Sequence, residues 1–301
     1  MNGATEQHVN SNEVIEAQLD ERLRAVERHF DSDLLTYFGP IAHGIEGVVK
    51  NAVEGMPAPR RAKLLVMLET DGGYIETAER MVRAFRQHYE TVEFLVPDFA
   101  FSAGTVLVMS GDAIYMDYSS VLGPIDPQVQ RSDSTRFAPA LGYLVQFERL
   151  MKKSAKGNLT TAELFYLVRS FDPAALYQYE QERELSVALL KEWLADHKFK
   201  NWLVTADSHK VVTPALRKRR AEQIARMLCE TKRWHSHARG IPMETLRRDL
   251  NLLIEDFGAD PKMAEVVKAY YDLVSDYRMR RGHWFFVLHT RGYYHGHSEE
   301  E

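Results

Sequence analysis

Cysteine is nearly absent from this chain: Cys229 is the single one in 301 residues. That excludes an internal disulfide and any thiolate-rich zinc site. Long apolar runs are missing too, and none approaches the roughly 20 residues that a membrane-spanning helix needs. There is no excess of positive charge, since 38 basic residues face 43 acidic ones and the net charge is −5. A chain that grips nucleic acid along its length would be basic. The expectation is therefore no nucleic acid and no membrane span among its partners. The polar start, MNGATEQHVNSN, lacks the apolar stretch of a secretory signal. No G-x-G-x-x-G or Walker A string occurs, so no nucleotide site is indicated and no cofactor is expected. The pairs His235-x-His237 and His295-x-His297 have no further ligand in a recognised spacing, and no metal is expected either. What is present, 45% apolar and 27% charged residues, is the balance of a folded, soluble protein, and a cytoplasmic location is expected.

The organisation reads as a polar tail over 1–12, a helical N-terminal arm over 13–60, a main domain over 61–256 and a C-terminal extension over 257–301. In the arm, Val14, Ile15, Leu19, Leu23, Val26 and Phe30 keep helical spacing, with Asn12 as a candidate cap, and a second helix is expected over Ile41–Val53. Leu64–Leu68 is apolar on both faces, as a buried parallel strand would be. A tight turn at Asp71–Gly72–Gly73, an amphipathic helix through Ile75 and Phe85, and a strand at Val92–Val96 follow. A second small-residue turn at Ser102–Ala103–Gly104, a short buried helix to Ser110 and a strand at Ala113–Met116 complete a repeated βαβ pattern. Beyond Leu141 the periodicity is helical, with a last strand expected at Trp284–Leu288 and a frayed tail from His295 to Glu301.

Sites in a parallel α/β sheet form at the carboxyl ends of the strands, which is where both small-residue turns fall. Asp71–Gly72–Gly73 lets backbone amides approach a ligand closely. Ser102–Ala103–Gly104 puts a hydroxyl at the start of the next helix. A serine beside free amides is the layout of acyl transfer: a nucleophile plus donors for the tetrahedral oxyanion. Glycines that merely shape the turns, with Ser102 as a helix cap, would produce the same strings.

The strings LLVMLETDGGYIETAERMV, FAFSAGTVLVMSGDAIYMD and LGPIDPQ, in that order, resemble the serine dehydrogenase proteinase family. That family belongs with the Clp-class and signal-peptide-peptidase-A-like serine peptidases of crotonase fold. The likeness covers roughly residues 60–130 and continues more loosely to RWHSHARGIPMETLRRDLNLLIED over 233–256. The resemblance implies an α/β fold, a Clp/crotonase-type spiral of ββα units with a helical N-terminal arm and a helical C-terminal region. It makes Ser102 the nucleophile, and assigns the oxyanion hole to the Ala103 amide and to Gly72 and Gly73, chiefly Gly73. It also implies a protein or peptide substrate and a homo-oligomer.

The general base departs from the Clp pattern, because no histidine lies between His88 and His197. Signal-peptide-peptidase-like enzymes use a lysine some fifty residues after the serine, a window that here holds Lys152, Lys153 and Lys156. A Ser-Lys dyad needs one lysine neutral through burial; Lys156 and Lys153 stand ahead of Lys152. In Gly123–Gln128, two prolines stiffen a turn that could border the substrate cleft through Asp126 or Gln128. Ser119 and Ser120 could orient the amine, and Glu69, Asp71 or Asp126 could adjust its basicity. The basic run Arg217–Arg220 reads as a solvated helix face. Two other readings stay open: a crotonase-like acyl-CoA enzyme, and an inactive scaffold of the same fold.

Overall fold

The computed structural model describes residues 10–125, 128–130, 137–205, 209–234, 236 and 239–298. The chain opens with α1 (Ser11–Phe30), capped by Asn10 rather than by Asn12, whose backbone N–H the Asn10 side chain receives. β1 (Asp33–Phe38), α2 (Ile45–Gly55), β2 (Lys63–Glu69), α3 (Ile75–His88) and β3 (Thr91–Leu95) follow. Next come β4 (Phe99–Ala100), α4 (Ala103–Val108), β5 (Ala113–Met116) and β6 (Val121–Leu122), then the small hairpin of β7 (Gln128–Gln130) and β8 (Phe137–Pro139). The helical stretch holds α5 (Ala140–Ala155), α6 (Thr161–Ser170), α7 (Pro173–Trp193), α8 (Pro214–Leu228) and α9 (Thr231–Trp234). The chain then forms β9 (Ile241–Pro242), α10 (Met243–Leu250), β10 (Glu255–Asp256), α11 (Pro261–Arg281), β11 (Phe286–Thr290) and β12 (Tyr293–His297).

Seven strands form the main sheet in the order β10-β5-β3-β2-β1-β11-β12. The five from β10 to β1 run parallel, and the β11–β12 hairpin closes the far side antiparallel. Strand alternation sends Leu64, Val66 and Leu68 of β2 into one apolar layer and Leu65 and Met67 into the other. The first layer lies under α2, α3, α4, α7, α8 and α10; the second lies under α1 and α11. Helices therefore cover both faces, the condition under which strands apolar on both sides are stable.

Three sequence expectations are corrected here. The stretch read as a helical arm contains β1, which lies inside the main sheet between β2 and β11. The C-terminal stretch supplies α11, which packs on α1, and the hairpin that covers β1. His295 and His297 are paired in β12, not frayed, with Leu288 opposite His295 and Phe286 opposite His297. β1 escaped notice because Asp33 and Thr36 interrupt its apolar run. Both are buried and satisfied: Asp33 by Arg291 and Tyr89, and Thr36 by the Tyr270 hydroxyl.

Candidate active site

A second, three-stranded sheet in the order β4-β6-β9 stands beside the ends of β1 and β2 and leads the chain to Ser102. Thr70 extends β2 against β4, donating its N–H to the Phe99 carbonyl (3.2 Å) and accepting from the Phe101 N–H (2.9 Å). Thr105, fully buried on α4, then ties β4 to the segment after β6. Its hydroxyl accepts from the Gly123 N–H at 2.9 Å and lies 2.8 Å and 3.0 Å from the Ala100 and Gly123 carbonyls. One hydroxyl proton serves one of those carbonyls at a time. Two glycines permit the fit, since a Cβ at Gly104 would lie 2.3 Å from Thr70 Cγ2 and one at Gly123 2.6 Å from Phe101 Cδ1.

Ser102 sits at the resulting corner with φ 52° and ψ −119°, and the Gly104 N–H donates to the Phe101 carbonyl across it at 2.8 Å. Those angles are those of the first central position of a type II′ turn, which favours glycine. A serine there carries strain of about 1–3 kcal/mol. The surroundings hold it in place: Ala103 is buried and Ser102 half-buried. A sharp, strained turn that lifts a serine hydroxyl at a strand-to-helix corner is also how the hydrolase nucleophile elbow presents its serine.

The opposing loop is stitched just as firmly. Gly72 (φ 103°) and Gly73 (φ 146°) follow β2, and the Ile41 N–H donates to the Gly72 carbonyl at 2.8 Å. The Tyr74 N–H donates to the Ile41 carbonyl at 2.8 Å, and the Gly72 N–H is taken by Thr70 Oγ1 at 3.0 Å. Gly72 lies directly against the serine: a Cβ there would meet Ser102 Cβ at 2.7 Å. Among the described residues, the Gly73 and Ala103 N–H groups donate to no protein acceptor. The structure thus brings Ser102, Gly72 and Ala103 together, with Gly73 next in the chain and exposed.

The three candidate lysines have other partners or face solvent. Lys153, near the end of α5, is paired with Glu163, the residue that closes the capping box of α6. The Glu163 carboxyl is lowered to about 2, first by its hydrogen bond from Lys153. Lys156 is exposed just past α5, and Lys152 is exposed with Glu148 3.8 Å away. Among the described residues, no hydrogen bond or ion pair joins any of the three to Ser102. The lysine that burial does depress, to about 8, is Lys198. Its charged neighbours are Glu255, Glu93 and Asp112, none of them in the loops around Ser102.

The remaining candidates have other work. The Ser120 hydroxyl lies 2.7 Å from the Val96 carbonyl and 2.9 Å from Asp117 Oδ1, and Ser119 bonds the same carboxylate oxygen. Glu69 receives the Tyr271 hydroxyl and Arg278, which tie it to α11. Asp71 is exposed. Asp126, His235 and His237 lie outside the described residues; Gln128 is the first residue of β7. The acidic and histidine side chains described include no group of three able to hold a metal ion. None of the described helices is long and apolar enough to cross a membrane. Two residues near the site were missed in the sequence. Thr105 reads there only as part of an apolar helix. His43 stacks on Tyr74, next to Gly73, with ring centroids 3.9 Å apart, but lies upstream of the serine, where neither the Clp nor the signal-peptide-peptidase pattern has its base.

Residues 46–156 match the family model described as ClpP-like SDH-type serine proteinase. Over these residues the chain is similar to that family. Two proteins of Methanocaldococcus jannaschii are related to it. Uncharacterized protein MJ1495 is 28% identical over 142 residues, 47% of this chain and 43% of the relative. Uncharacterized protein MJ0137 is 35% identical over 72 residues, 24% of this chain and 25% of the relative. The chain thus spans less than half the length of each. Among solved structures, the 1510-N membrane-bound stomatin-specific protease aligns with 74% of this chain and 76% of its own, at 11% identity and a TM-score of 0.42. The ClpP protease catalytic domain from Plasmodium falciparum aligns with 40% of this chain and 63% of its own, at 9% identity and a TM-score of 0.30. The likeness to a ClpP-like serine proteinase rests on the family match over residues 46–156.

Proposed function

We propose that this ClpP-like chain hydrolyses peptide bonds through an acyl-enzyme on Ser102. The single observation that carries the reading is the strained Ser102 turn packed against Gly72, with the neighbouring Gly73 and Ala103 amides left, among the described residues, without protein acceptors. Ser102 Oγ attacks the scissile carbonyl carbon and gives up its proton to a neutral lysine amine. The oxyanion that forms is held by the Gly73 and Ala103 N–H groups. Collapse breaks the C–N bond, the leaving amine takes the proton from the lysinium, and water then cleaves the ester by the same route.

The base is a lysine of the α5 end, Lys156 ahead of Lys153, because Glu163 already neutralises Lys153. Among the described residues neither is bonded to Ser102 in the single chain, so the dyad requires the α5 end to engage the serine. Such engagement would also desolvate the amine, and a lysine works as a base only once desolvated. Assembly into a homo-oligomer supplies a driving force, since α6, next to α5, exposes Leu164, Phe165, Tyr166 and Val168. The second reading, a scaffold that keeps the fold without chemistry, is favoured because, among the described residues, no bond joins the serine to the lysines. Fluorophosphonate labelling of the purified full chain decides between them. Labelling of the wild type that Ser102→Ala abolishes supports the peptidase; an unlabelled, folded oligomer supports the scaffold.

A further inference from the structure

A pocket of about 270 Å³ opens between α9, β9 and α10, and Arg233, Arg239 and Arg248 all line it. Asp249 is the acidic residue in its wall. It receives Arg233 through Oδ2 at 3.1 Å and Arg248 through Oδ1 at 2.7 Å. Three guanidinium groups against one carboxylate leave the wall in cationic excess; Glu244 adds a weaker field at Arg248. Among the described residues, Arg233 Nε is buried without an acceptor, and Arg239 is exposed and makes no ion pair. Trp234, Ile241 and Pro242 supply an apolar wall, with the Trp234 ring 5.3 Å beneath the Arg233 guanidinium.

The pocket's place in the second sheet gives this chemistry a direction. Ala100 pairs with Leu122 and Leu122 with Ile241, while Phe99 pairs with Val121 and Val121 with Pro242. Stepping back from Pro242 to Ile241 therefore moves the same way as stepping from Phe99 to Ala100, toward Ser102. Gly240 and Arg239 leave β9 at the serine's end of the sheet. Two strand spacings of about 4.8 Å put β9 about 10 Å from β4. At about 3.3 Å per extended residue, roughly three peptide residues bridge that gap.

We propose that this arginine pocket is a substrate subsite that holds a carboxylate of the polypeptide about three residues from the bond cut at Ser102. The inference rests on the peptidase reading and adds the substrate's class to it: polypeptides carrying an acidic side chain or a free C-terminus at that spacing. Guanidinium forks suit carboxylates bidentately. Asp249 already holds two of the forks in place, so a ligand gains their hydrogen bonds without ordering them anew. Polypeptide supplies the carboxylate from either source with the same geometry.

The test uses full-length protein carrying Ser102→Ala and fluorescent ten-residue peptides, with binding read by anisotropy. One series moves a single Asp, or the matched Asn, along the peptide; another compares free and amidated C-termini. The expected result is binding at least tenfold tighter for one Asp position over its Asn partner, or for the free over the amidated end, which tells the two sources apart. Arg239→Gln and Arg248→Gln should each erase that preference, and added salt should weaken it. Equal affinity for charged and neutral peptides, no binding of any peptide, or a preference that survives both arginine changes would overturn the subsite. Fluorophosphonate labelling of the wild type keeps the two ideas separate. Charge-selective binding without labelling sinks the peptidase and leaves the anion subsite; labelling with charge-blind binding sinks the subsite alone.

Discussion

Ser102 and the lysines of the α5 end belong to two kinds of structure. The serine corner is clamped from all sides: Thr70 and Thr105 bond its flanking strands, Gly72 and Gly104 let the backbones touch, and Ala103 is buried behind it. The α5 end is solvated, and Lys153 there pairs with Glu163 of an exposed neighbouring helix. The contrast separates two costs of catalysis. On the proposed reading, nucleophile and oxyanion donors would be preorganised when the chain folds, and desolvating the base would be left to a later event.

Replacing the lysines separates those regions most sharply. Lys156→Ala is expected to lower the fluorophosphonate labelling rate by about 100- to 10,000-fold, the usual worth of a general base. Lys153→Ala should act mainly by freeing Glu163. A reversed ranking makes Lys153 the base, and two silent variants refute the dyad. If a lysine is the base, the labelling rate must also rise with pH, because only the neutral amine accepts the proton.

On the clamped side, Gly73→Ala is expected to cost about 100- to 1,000-fold in the same rate, the worth of one oxyanion donor. A Cβ there would lie 2.3 Å from the Ile41 carbonyl oxygen, so the amide must shift. An undisturbed rate would remove Gly73 from the hole.

A stability effect follows from the buried chain that links Thr36 Oγ1, Tyr270 Oη and His289 Nδ1 at 2.7 Å and 2.8 Å. Burial pushes His289 down from 6.5 to about 4. Between those values the unfolded chain binds the proton and the folded one does not, so stability falls as pH drops from 6.5 toward 4, by at most about 3 kcal/mol. Thermal melts should show that slope, and His289→Gln should flatten it. Smaller still, Thr105→Val leaves the Gly123 N–H unpaired and should cost about 1–3 kcal/mol in denaturant unfolding. A loss of labelling larger than that of stability would show that Thr105 aligns the serine corner.

How far the sequence could be read tracks how local each signal is. Leu64–Leu68, the DGG and SAG turns and Ala113–Met116 announce themselves within a few residues, because a buried strand or a strained turn admits few residue types. β1 and α11 do not. Asp33 and Thr36 read as polar until their partners Arg291 and Tyr270 are known, and those lie more than two hundred residues away. Thr105 is illegible for the same reason, since its bonds reach back to Ala100 and forward to Gly123. The anion pocket draws arginines from two helices and the loop between them, so none forms a run in the chain.

The pairing of β1 with β11 also bears on how the protein is made. Residues 36–38 meet partners at 287–289, so one side of β1 stays open until most of the chain has left the ribosome. Its neighbour β2 arrives early and can register at once. A sheet completed by so distant a contact has high contact order and folds slowly, with an unpaired apolar edge exposed meanwhile. The nascent chain therefore carries its aggregation hazard at β1 and the remedy only with β11.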